Sequence, residues 1–580
     1  MSNWKRRELL IGGVAATALG AAGWGARLAH EEEPGSRGVS LDASPPKARR
    51  DLNLLIIMVD QERVWDTLPD DLDMPNHRRI ADAGSSFINM NCTTPLCTPS
   101  RSVIWTGQHV QHTGVYDNIE VPVFGRHLDP AIPTLGHMLS EMGFYTAYKG
   151  KWHLSGLPKD PDWGRSADRT NALEIYGYAD SGWGQELIDS HDGWKFDGRI
   201  AADAATWLTQ KSPTIDAPWA LTVSFVNPHD IMFFDATGDQ AKSRIQDVFP
   251  GPVLGLPDDP LYQTVNTEEL PRNFRRPSYG GQVSSQAEYD AYMDVFYGRL
   301  PHTDLEAWLR FSNYYYNCIR DVDRHLGTVL DALEKSGQAD NTIVVYLSDH
   351  GEMGGVHGLR QKGPWMYREN ITVPFVVSHP DARKGRTNNG IVSTLDFAPT
   401  ILGLVGADKK ATKDRYTNIK GIDISEDITN ASTARTRDKK GALLTYCVTH
   451  HADPNFAAAA LENQIIEGPF SKVLNMAGAG FVPDMSSKSF MRGVVTDRYK
   501  FGRYFSARDH HLPKDLEELR SQNELELFDL QADPGETMNM AALAPDALLL
   551  QLNRQLNDLV DEEVGVDDGE YLPGPSWLWR

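Results

Sequence analysis

The chain has 580 residues, 41% of them hydrophobic, and its 79 acidic against 57 basic side chains leave a formal net charge of −22. This length exceeds one ordinary hydrophobic core, so we expect a large domain with a smaller one attached. The acidic balance argues against nonspecific binding to anionic membranes, and we expect no nucleic-acid partner. The four cysteines are too few for a disulfide framework and lack the paired spacing of zinc ligands, although one or two bridges stay open for an exported protein: Cys92, Cys97, Cys318 and Cys447.

The N-terminus carries the features of an export signal. Arg6-Arg7 precede an uncharged run from Leu9 to Ala26 that is rich in Gly and Ala and only weakly apolar. This pattern favours a twin-arginine signal peptide over residues 1–30, with an uncleaved anchor or a Sec-type signal as alternatives. We therefore predict the twin-arginine export machinery as a partner, a periplasmic or secreted location, and no stable membrane insertion. Residues 31–50 are predicted to be a polar linker.

Four apolar runs predict buried β-strands, and polar side chains follow each of them directly. The runs are "LNLLIIMVDQ", "FYTAYKGKWH", "WALTVSFVNPHD" and "NTIVVYLSDHGE", with helical patterns between them. This alternation predicts an α/β domain over residues 51–435, built on a large mixed, mostly parallel sheet flanked by helices. Ligands bind beyond the carboxyl ends of the strands in such sheets, so we expect the polar groups to meet in one pocket.

Residues 436–580 predict a smaller C-terminal α+β subdomain. Short strand-like runs, "GALLTYCVTH", "RGVVTDRYKFGRYF" and "LELFDLQ", precede the helical pattern "APDALLLQLNRQLNDLVDEEV". We expect a small antiparallel sheet with that helix packed on it. Before this subdomain, residues 231–310 predict long loops around the pocket mouth. Their basic cluster is predicted to be a solvated surface rather than an anion site: Arg272, Arg275 and Arg276.

The polar groups that follow the strands suit a divalent metal and an anionic ester. Hard oxygen donors that favour Ca²⁺ or Mg²⁺ come from Asp60, Gln61 and Asp349, whereas the adjacent His350 also suits zinc. Positive or proton-donating groups are supplied by Lys151, His153, His229 and Lys362. A cation surrounded by lysine and histidine stabilises charge on sulfuryl or phosphoryl oxygens. The residues therefore predict metal-assisted cleavage of a sulfate or phosphate ester.

Cys97 lies in the stretch "PLCTPSR", four residues before Arg101. Pro99 suits the first turn of a helix, which places residue 97 near the positive end of the helix dipole. An anionic nucleophile is favoured there, but a thiolate is a soft ligand and a poor match for a hard cation. An unmodified cysteine is thus an unexpected partner for these carboxylates.

These motifs resemble those of the type I sulfatases, a family of the alkaline-phosphatase-like superfamily. "CTPSR" matches the family signature C-x-P-S-R, "YKGKWHL" resembles its G-K-W-H element and "NPHD" its histidine loop. Residues 348–377 resemble its second metal segment, and "RGVVTDRYKFGRYF" and "ELFDLQADPGETMNMA" its C-terminal subdomain. The resemblance spans residues 52 to 545 and implies a sulfatase that hydrolyses a sulfate ester.

The resemblance further implies that a formylglycine-generating enzyme oxidises Cys97 to Cα-formylglycine before folding. The hydrated aldehyde is a geminal diol: one hydroxyl attacks sulfur, and the other then loses its proton so that the aldehyde reforms and sulfate leaves. By the same resemblance, the metal ligands would be Asp60, Gln61, residue 97, Asp349 and His350. The other roles would be support of the diol by Arg101, binding of the sulfate ester by Lys151, His229 and Lys362, base catalysis by His153, and acid catalysis by His229.

Two positions depart from the commonest family pattern, because Gln61 replaces an aspartate and His350 an asparagine. The choice of Ca²⁺ over Mg²⁺ therefore stays open. A phosphodiesterase or phosphonate monoester hydrolase on the same scaffold is the main alternative activity, and a non-catalytic sulfoglycan-binding protein is a third. Aryl sulfates, small alkyl sulfates such as a choline ester, and sulfated saccharides all stay open as substrates. Roles also stay open for several histidines: His357, His450, His451, His510 and His511.

Overall fold

The computed structural model describes residues 38–40, 42–121, 125–156, 171–183, 190–243, 253–274, 283–429, 437–453, 484–509, 512–567 and 572. The strands in these ranges are β1 (Asn53–Asp60), β2 (Ser85–Asn91), β3 (Tyr145–Gly150), β4 (Asp180–Trp183), β5 (Trp219–Pro228), β6 (Thr342–Ser348), β7 (Thr372–Ser378), β8 (Arg386–Asn388), β9 (Val392–Ser393), β10 (Ala442–Tyr446), β11 (Phe490–Val495), β12 (Tyr499–Phe505) and β13 (Glu524–Asp529). The α-helices are α1 (Pro75–Ala83), α2 (Cys97–Thr106), α3 (Val110–Thr113), α4 (Leu135–Glu141), α5 (Asp192–Thr206), α6 (Gln240–Ser243), α7 (Ser284–Tyr297), α8 (Leu305–Lys335), α9 (Arg368–Ile371), α10 (Phe397–Leu404), α11 (Lys409–Arg415), α12 (Ser425–Thr429), α13 (Leu516–Gln522) and α14 (Asp546–Glu563).

The large sheet has nine strands in the order β4-β3-β5-β1-β6-β7-β2-β8, with β9 paired to β2. β1 pairs in parallel with β5 and β6, and β3 pairs in parallel with β4 and β5. β7 runs antiparallel to both of its neighbours, β2 and β6. The prediction of a mixed, mostly parallel sheet is confirmed.

Both faces of this sheet are covered, which explains why its central strand is apolar throughout. β1 reads "NLLIIMVD" and is buried along its whole length. Leu54 and Ile56 face a core that contains Trp105 of α2, whereas Leu55 and Ile57 face a second core formed with α8 and α5. Successive side chains of a strand point to opposite faces, so a strand buried on both sides lacks the usual polar alternation.

The smaller sheet is antiparallel, in the order β10-β11-β12-β13. Val494 and Phe501 on one face pack against Leu552 of α14. Met491 on the other face packs with Trp365 of the large domain. The predicted C-terminal antiparallel sheet with its packed helix is confirmed, and the domain limit at residue 435 stays a prediction.

Part of the predicted linker lies against the large domain. Val39 forms an isolated β-bridge with Tyr416, and the backbone N–H of Arg49 donates to Val405 O at 2.8 Å. The predicted signal peptide, residues 1–30, lies outside the described residues. Among the helices that the structure describes, none combines the length and the apolar composition needed to cross a bilayer.

Candidate active site

Polar side chains that follow four adjacent strands meet at the carboxyl edge of the large sheet. Asp60 ends β1, Asp349 follows β6, Lys151 follows β3 and His229 follows β5. These strands are neighbours in the order β3-β5-β1-β6, so their carboxyl ends lie side by side. Each of the four side chains is at most 2% exposed. The structure thus brings together groups that the sequence separates by up to about 290 residues.

Four side chains offer donor atoms that lie within 4.8 Å of one another: Asp60, Cys97, Asp349 and His350. His350 Nδ1 lies 3.0 Å from Gly351 O, so it carries the ring hydrogen and leaves the Nε2 lone pair toward the cluster. His350 Nε2 lies 3.1 Å from Cys97 Sγ. Two carboxylates and a neutral imidazole fit a hard divalent cation, with the thiol as the one soft donor of the set.

Two positively charged side chains, Arg101 and Lys151, hold the carboxylates of this cluster in place. Arg101 Nε donates to Asp349 Oδ2 at 2.8 Å, and its Nη2 donates to Asp60 Oδ2 at 3.0 Å. Lys151 Nζ forms an ion pair with the same Asp60 oxygen at 2.8 Å. Burial opposes ionisation of Asp60, but the charges of Lys151 and Arg101 outweigh it and hold the pKa of its carboxyl well below the usual range. The formal charges of Arg101, Lys151 and the two carboxylates cancel, so a bound divalent cation would leave the site positive and suited to an anionic ester.

Helix α2 presents Cys97 to this cluster from its first turn. The helix is buried over its whole length, and Leu96 at the N-cap position supplies no capping side chain. Asn118 Oδ1 takes that place by accepting from the backbone N–H of Thr98 at 3.1 Å. All four cysteines lie within the described residues, and each is a buried free thiol. Residue 97 therefore stands at the positive end of a helix dipole, as the position of Pro99 predicts.

The two imidazoles of the site differ in their electrostatic surroundings. His153 Nε2 lies 2.6 Å from Glu120 Oε1. Burial lowers the pKa of His153, but the charge of Glu120 and hydrogen bonding with Cys97 and Glu120 outweigh it, so the pKa is raised. Burial and the nearby Lys151 hold the pKa of His229 well below its ordinary value. His153 is therefore the stronger proton acceptor, and His229 is neutral in the ligand-free site.

Gln61 lies beside the cluster with both ends of its amide engaged. Lys362 Nζ donates to Gln61 Oε1 at 2.6 Å, and Gln61 Nε2 donates to Glu352 Oε2 at 2.6 Å. Its backbone N–H donates to Asp349 Oδ1 at 3.1 Å. The metal-ligand prediction for Gln61 stays a prediction, and in the ligand-free site the oxygen that would bind the ion accepts from Lys362.

Sequence reasoning missed three residues of the site. Glu120 contacts His153, Asn118 contacts the backbone of Thr98, and Glu352 contacts Gln61. A single carboxylate or amide in a loop carries no spacing signal, so no pattern distinguishes these residues from solvated loop positions. The only indication for Glu352 is its place two residues after the predicted ligand His350.

The remaining predicted residues lie outside the cluster. His357 is buried, its ring lies 4.0 Å from that of Tyr367, and burial lowers its pKa to about 4. His450 Nδ1 lies 2.7 Å from Asp117 Oδ1, and His451 hydrogen-bonds to Tyr446. Arg272 is exposed. The other predicted positions lie outside the described residues: Arg275, Arg276, His510 and His511.

The mixed sheet and the ligand cluster at its carboxyl edge define an alkaline-phosphatase-like hydrolase scaffold. The sulfatase family model matches residues 52–407, more than half of the chain, and the chain belongs to the sulfatase family. A choline-sulfatase of Rhizobium meliloti is 28% identical over 383 residues, which cover 61% of this chain and 67% of that protein.

Two solved structures share the fold over most of both chains. A 2-O GAG sulfatase is 20% identical with a TM-score of 0.62, and the match covers 89% of this chain and 93% of the other. A phosphonate monoester hydrolase of Agrobacterium radiobacter is 19% identical with a TM-score of 0.60, and the match covers 88% of this chain and 96% of the other. The resemblance to sulfatases of the alkaline-phosphatase-like superfamily is thereby confirmed.

Proposed function

We propose that the chain is an exported, metal-dependent sulfatase that hydrolyses a sulfate ester to an alcohol and inorganic sulfate. The observation that carries this proposal is the placement of Cys97 at a helix N-terminus, with its sulfur among the donor atoms of Asp60, Asp349 and His350. Membership of the sulfatase family supports a sulfate rather than a phosphate ester.

The cation is assigned to Asp60, Asp349, His350 and residue 97. Two carboxylates favour Ca²⁺, with Mg²⁺ as the alternative. The bound ion would supply a Lewis acid that stabilises negative charge on oxygen. Arg101 contributes without any ion, because its guanidinium bridges the two carboxylates and fixes their orientation.

The nucleophile is assigned to residue 97 after oxidation of Cys97 to formylglycine by a formylglycine-generating enzyme. An oxygen of the modified residue would take the place of Cys97 Sγ. The hydrated aldehyde would supply a hard oxygen that suits both the cation and attack on sulfur. The hard oxygen replaces a soft thiolate, which is a poor ligand for the hard cation that the carboxylates bind.

The surrounding side chains bind the ester and move protons. Lys151 and Lys362 are assigned to the sulfate oxygens, since both ammonium groups border the cluster. His153 is assigned as the base beside residue 97, which agrees with its raised pKa. His229 is assigned to the leaving oxygen. The pKa of His229 is low because of burial and neighbouring cations, and a bound sulfate anion offsets those cations and favours the protonated ring that an acid needs.

Sulfated small molecules and saccharides are the proposed substrates. The choline-sulfatase relative supports a small alkyl sulfate, and the fold shared with a 2-O GAG sulfatase supports a sulfated sugar. Export through the twin-arginine machinery to the periplasm or beyond is part of the proposal, and replacing Arg6-Arg7 by lysines should block it. Fractionation of cells that produce each form would measure that effect.

Mass spectrometry of the peptide containing residue 97, from protein made in its native host, tests the proposed nucleophile. An aldehyde is expected there, together with turnover of p-nitrophenyl sulfate, choline sulfate or a sulfated monosaccharide. A matching phosphodiester tests the alternative suggested by the phosphonate monoester hydrolase fold. Cys97→Ala should abolish turnover, whereas Cys447→Ala, at a buried cysteine of the C-terminal subdomain, should retain it. An unaltered thiol at residue 97 in active protein would refute the proposed nucleophile.

A further inference from the structure

Glu120 contacts the imidazole of His153 and determines which ring nitrogen carries hydrogen. The distance from His153 Nε2 to Glu120 Oε1 is 2.6 Å. An ionised carboxylate only accepts hydrogen bonds, so in the neutral ring Nε2 carries the hydrogen and Nδ1 keeps the lone pair. The Cys97 side chain lies close enough to the same ring to contribute to the raised pKa of His153. Because Nε2 is engaged with Glu120, Nδ1 is the nitrogen left to face residue 97.

The short segment that carries Glu120 is anchored on both sides of the site. Asp117 is buried and accepts from Thr449 Oγ1 at 3.0 Å, which ties the segment to the C-terminal subdomain. Asn118 Oδ1 accepts from the backbone N–H of Thr98 at 3.1 Å, next to residue 97. With these anchors two and three residues away, the Glu120 carboxylate is oriented before any substrate binds.

His153 itself has an unusual backbone conformation. Its φ of +59° lies in the left-handed region, which is uncommon for a residue other than glycine. The His153 side chain is 1% exposed and that of Glu120 is 14% exposed, so water screens their interaction less than it screens a surface ion pair. A carboxylate in this place holds the imidazole ring of His153 in position.

We propose that Glu120 is a positioning residue for the base of the sulfatase reaction, holding His153 in the tautomer and orientation in which Nδ1 receives a proton from residue 97. This inference rests on the proposed function. When Nδ1 takes up the proton, the Nε2 hydrogen stays with the ring, and the negative charge of Glu120 stabilises the resulting imidazolium. Glu120 neither gains nor loses a proton in this step.

The test combines kinetics and the tautomer of His153 in full-length, modified, calcium-loaded protein. Glu120→Ala should lower kcat by about 10- to 100-fold, the usual effect of removing a group that orients a functional histidine, while KM changes by less than about threefold. Glu120→Gln keeps an accepting oxygen without the charge and should recover part of that loss. Glu174→Gln, at an exposed acidic residue, is the matched control and should behave as the wild type.

Nitrogen-15 NMR of histidine-labelled protein gives the second measurement, with the signals of residue 153 assigned through His153→Asn. At a pH where the ring is neutral, the wild type should show hydrogen on Nε2, and Glu120→Ala should show a mixture of both tautomers. An unchanged kcat or an unchanged tautomer in a folded Glu120→Ala protein would overturn the inference. If Glu120→Ala does not fold, wild-type kcat in Glu120→Gln overturns it instead. A wild type without sulfatase turnover would refute the proposed function separately, because the tautomer is read without any substrate.

Discussion

Lys362 Nζ donates a hydrogen bond to Gln61 Oε1 at 2.6 Å, at the border of the proposed metal site. The other end of the same amide donates to Glu352, whose buried carboxylate also accepts the backbone N–H groups of Gly354 and Gln361. Because a carboxylate only accepts and an ammonium only donates, the amide has one possible orientation. Gln61 therefore connects a buried anion to the lysine that we assign to the sulfate.

Replacing Gln61 with methionine tests this connection. Gln61→Met keeps the length of the side chain but removes the acceptor for Lys362, so KM for a sulfate ester should rise by about tenfold, the effect of losing a charge-assisted hydrogen bond of about 1.5 kcal/mol. The calcium content should stay the same, because the four assigned ligands hold the ion without Gln61. Steady-state kinetics and metal analysis measure both quantities. A variant that loses calcium would instead place Gln61 among the metal ligands.

Removing the metal should destabilise the protein as well as inactivate it. A chelator leaves the native state without its bound ion, and a ligand at 100 times its Kd contributes about 2.7 kcal/mol of stability. We expect a lower Tm by differential scanning fluorimetry and its recovery on addition of Ca²⁺. Asp349→Asn is the matched control, since it lacks one proposed ligand and should show little further change with chelator. An equal drop in that variant would locate the stabilising ion elsewhere.

The proposed acid role of His229 predicts a dependence on the leaving group. His229→Ala should lower kcat/KM for an alkyl sulfate by about 10²- to 10⁴-fold, because an alkoxide needs a proton in order to leave. The loss for p-nitrophenyl sulfate should be much smaller, since its phenolate leaves without protonation. Parallel assays of the two substrates provide the comparison. Equal losses for both would mean that His229 binds the sulfate and does not protonate the leaving oxygen.

A buried histidine behind the site predicts a dependence of stability on pH. Burial disfavours the charged form of His77, but Glu62 and Asp323 outweigh it and raise the pKa of His77 to about 9 from an ordinary value of 6.5. A raised pKa contributes stability that is fully present below pH 6.5 and is lost as the pH rises through 9.

The variant His77→Gln removes this contribution. Its deficit in unfolding free energy relative to the wild type should shrink by on the order of 3 kcal/mol over that window, since each unit of pKa shift corresponds to 1.36 kcal/mol. Unfolding midpoints measured across the pH range for both proteins give this difference. A deficit that stays constant with pH would show that His77 stabilises by packing rather than by charge.

Local pattern was enough to predict the sheet and its polar edge. The runs that became β1, β3, β5 and β6 are apolar because both faces of the sheet are covered, and their terminal polar residues meet because parallel strands end at one edge. The antiparallel direction of β7 was not specified in that way, since a short apolar run reads the same in either direction. Nor did the polar composition of residues 31–50 show that Val39 would pair with Tyr416.

The sequence by itself determined the kinds of donor, their order along the chain and the helix that carries residue 97, because strand periodicity and the position of Pro99 act over a few residues. Only the tertiary structure decided which partner each donor has. Gln61 and Lys362 are 301 positions apart, and His153 and Glu120 are 33 apart. Such contacts depend on how loops from different strands close over one edge, and no local spacing encodes that arrangement. The folded arrangement of these loops is what places the oxygen of Gln61 against an ammonium group and the imidazole of His153 against a carboxylate.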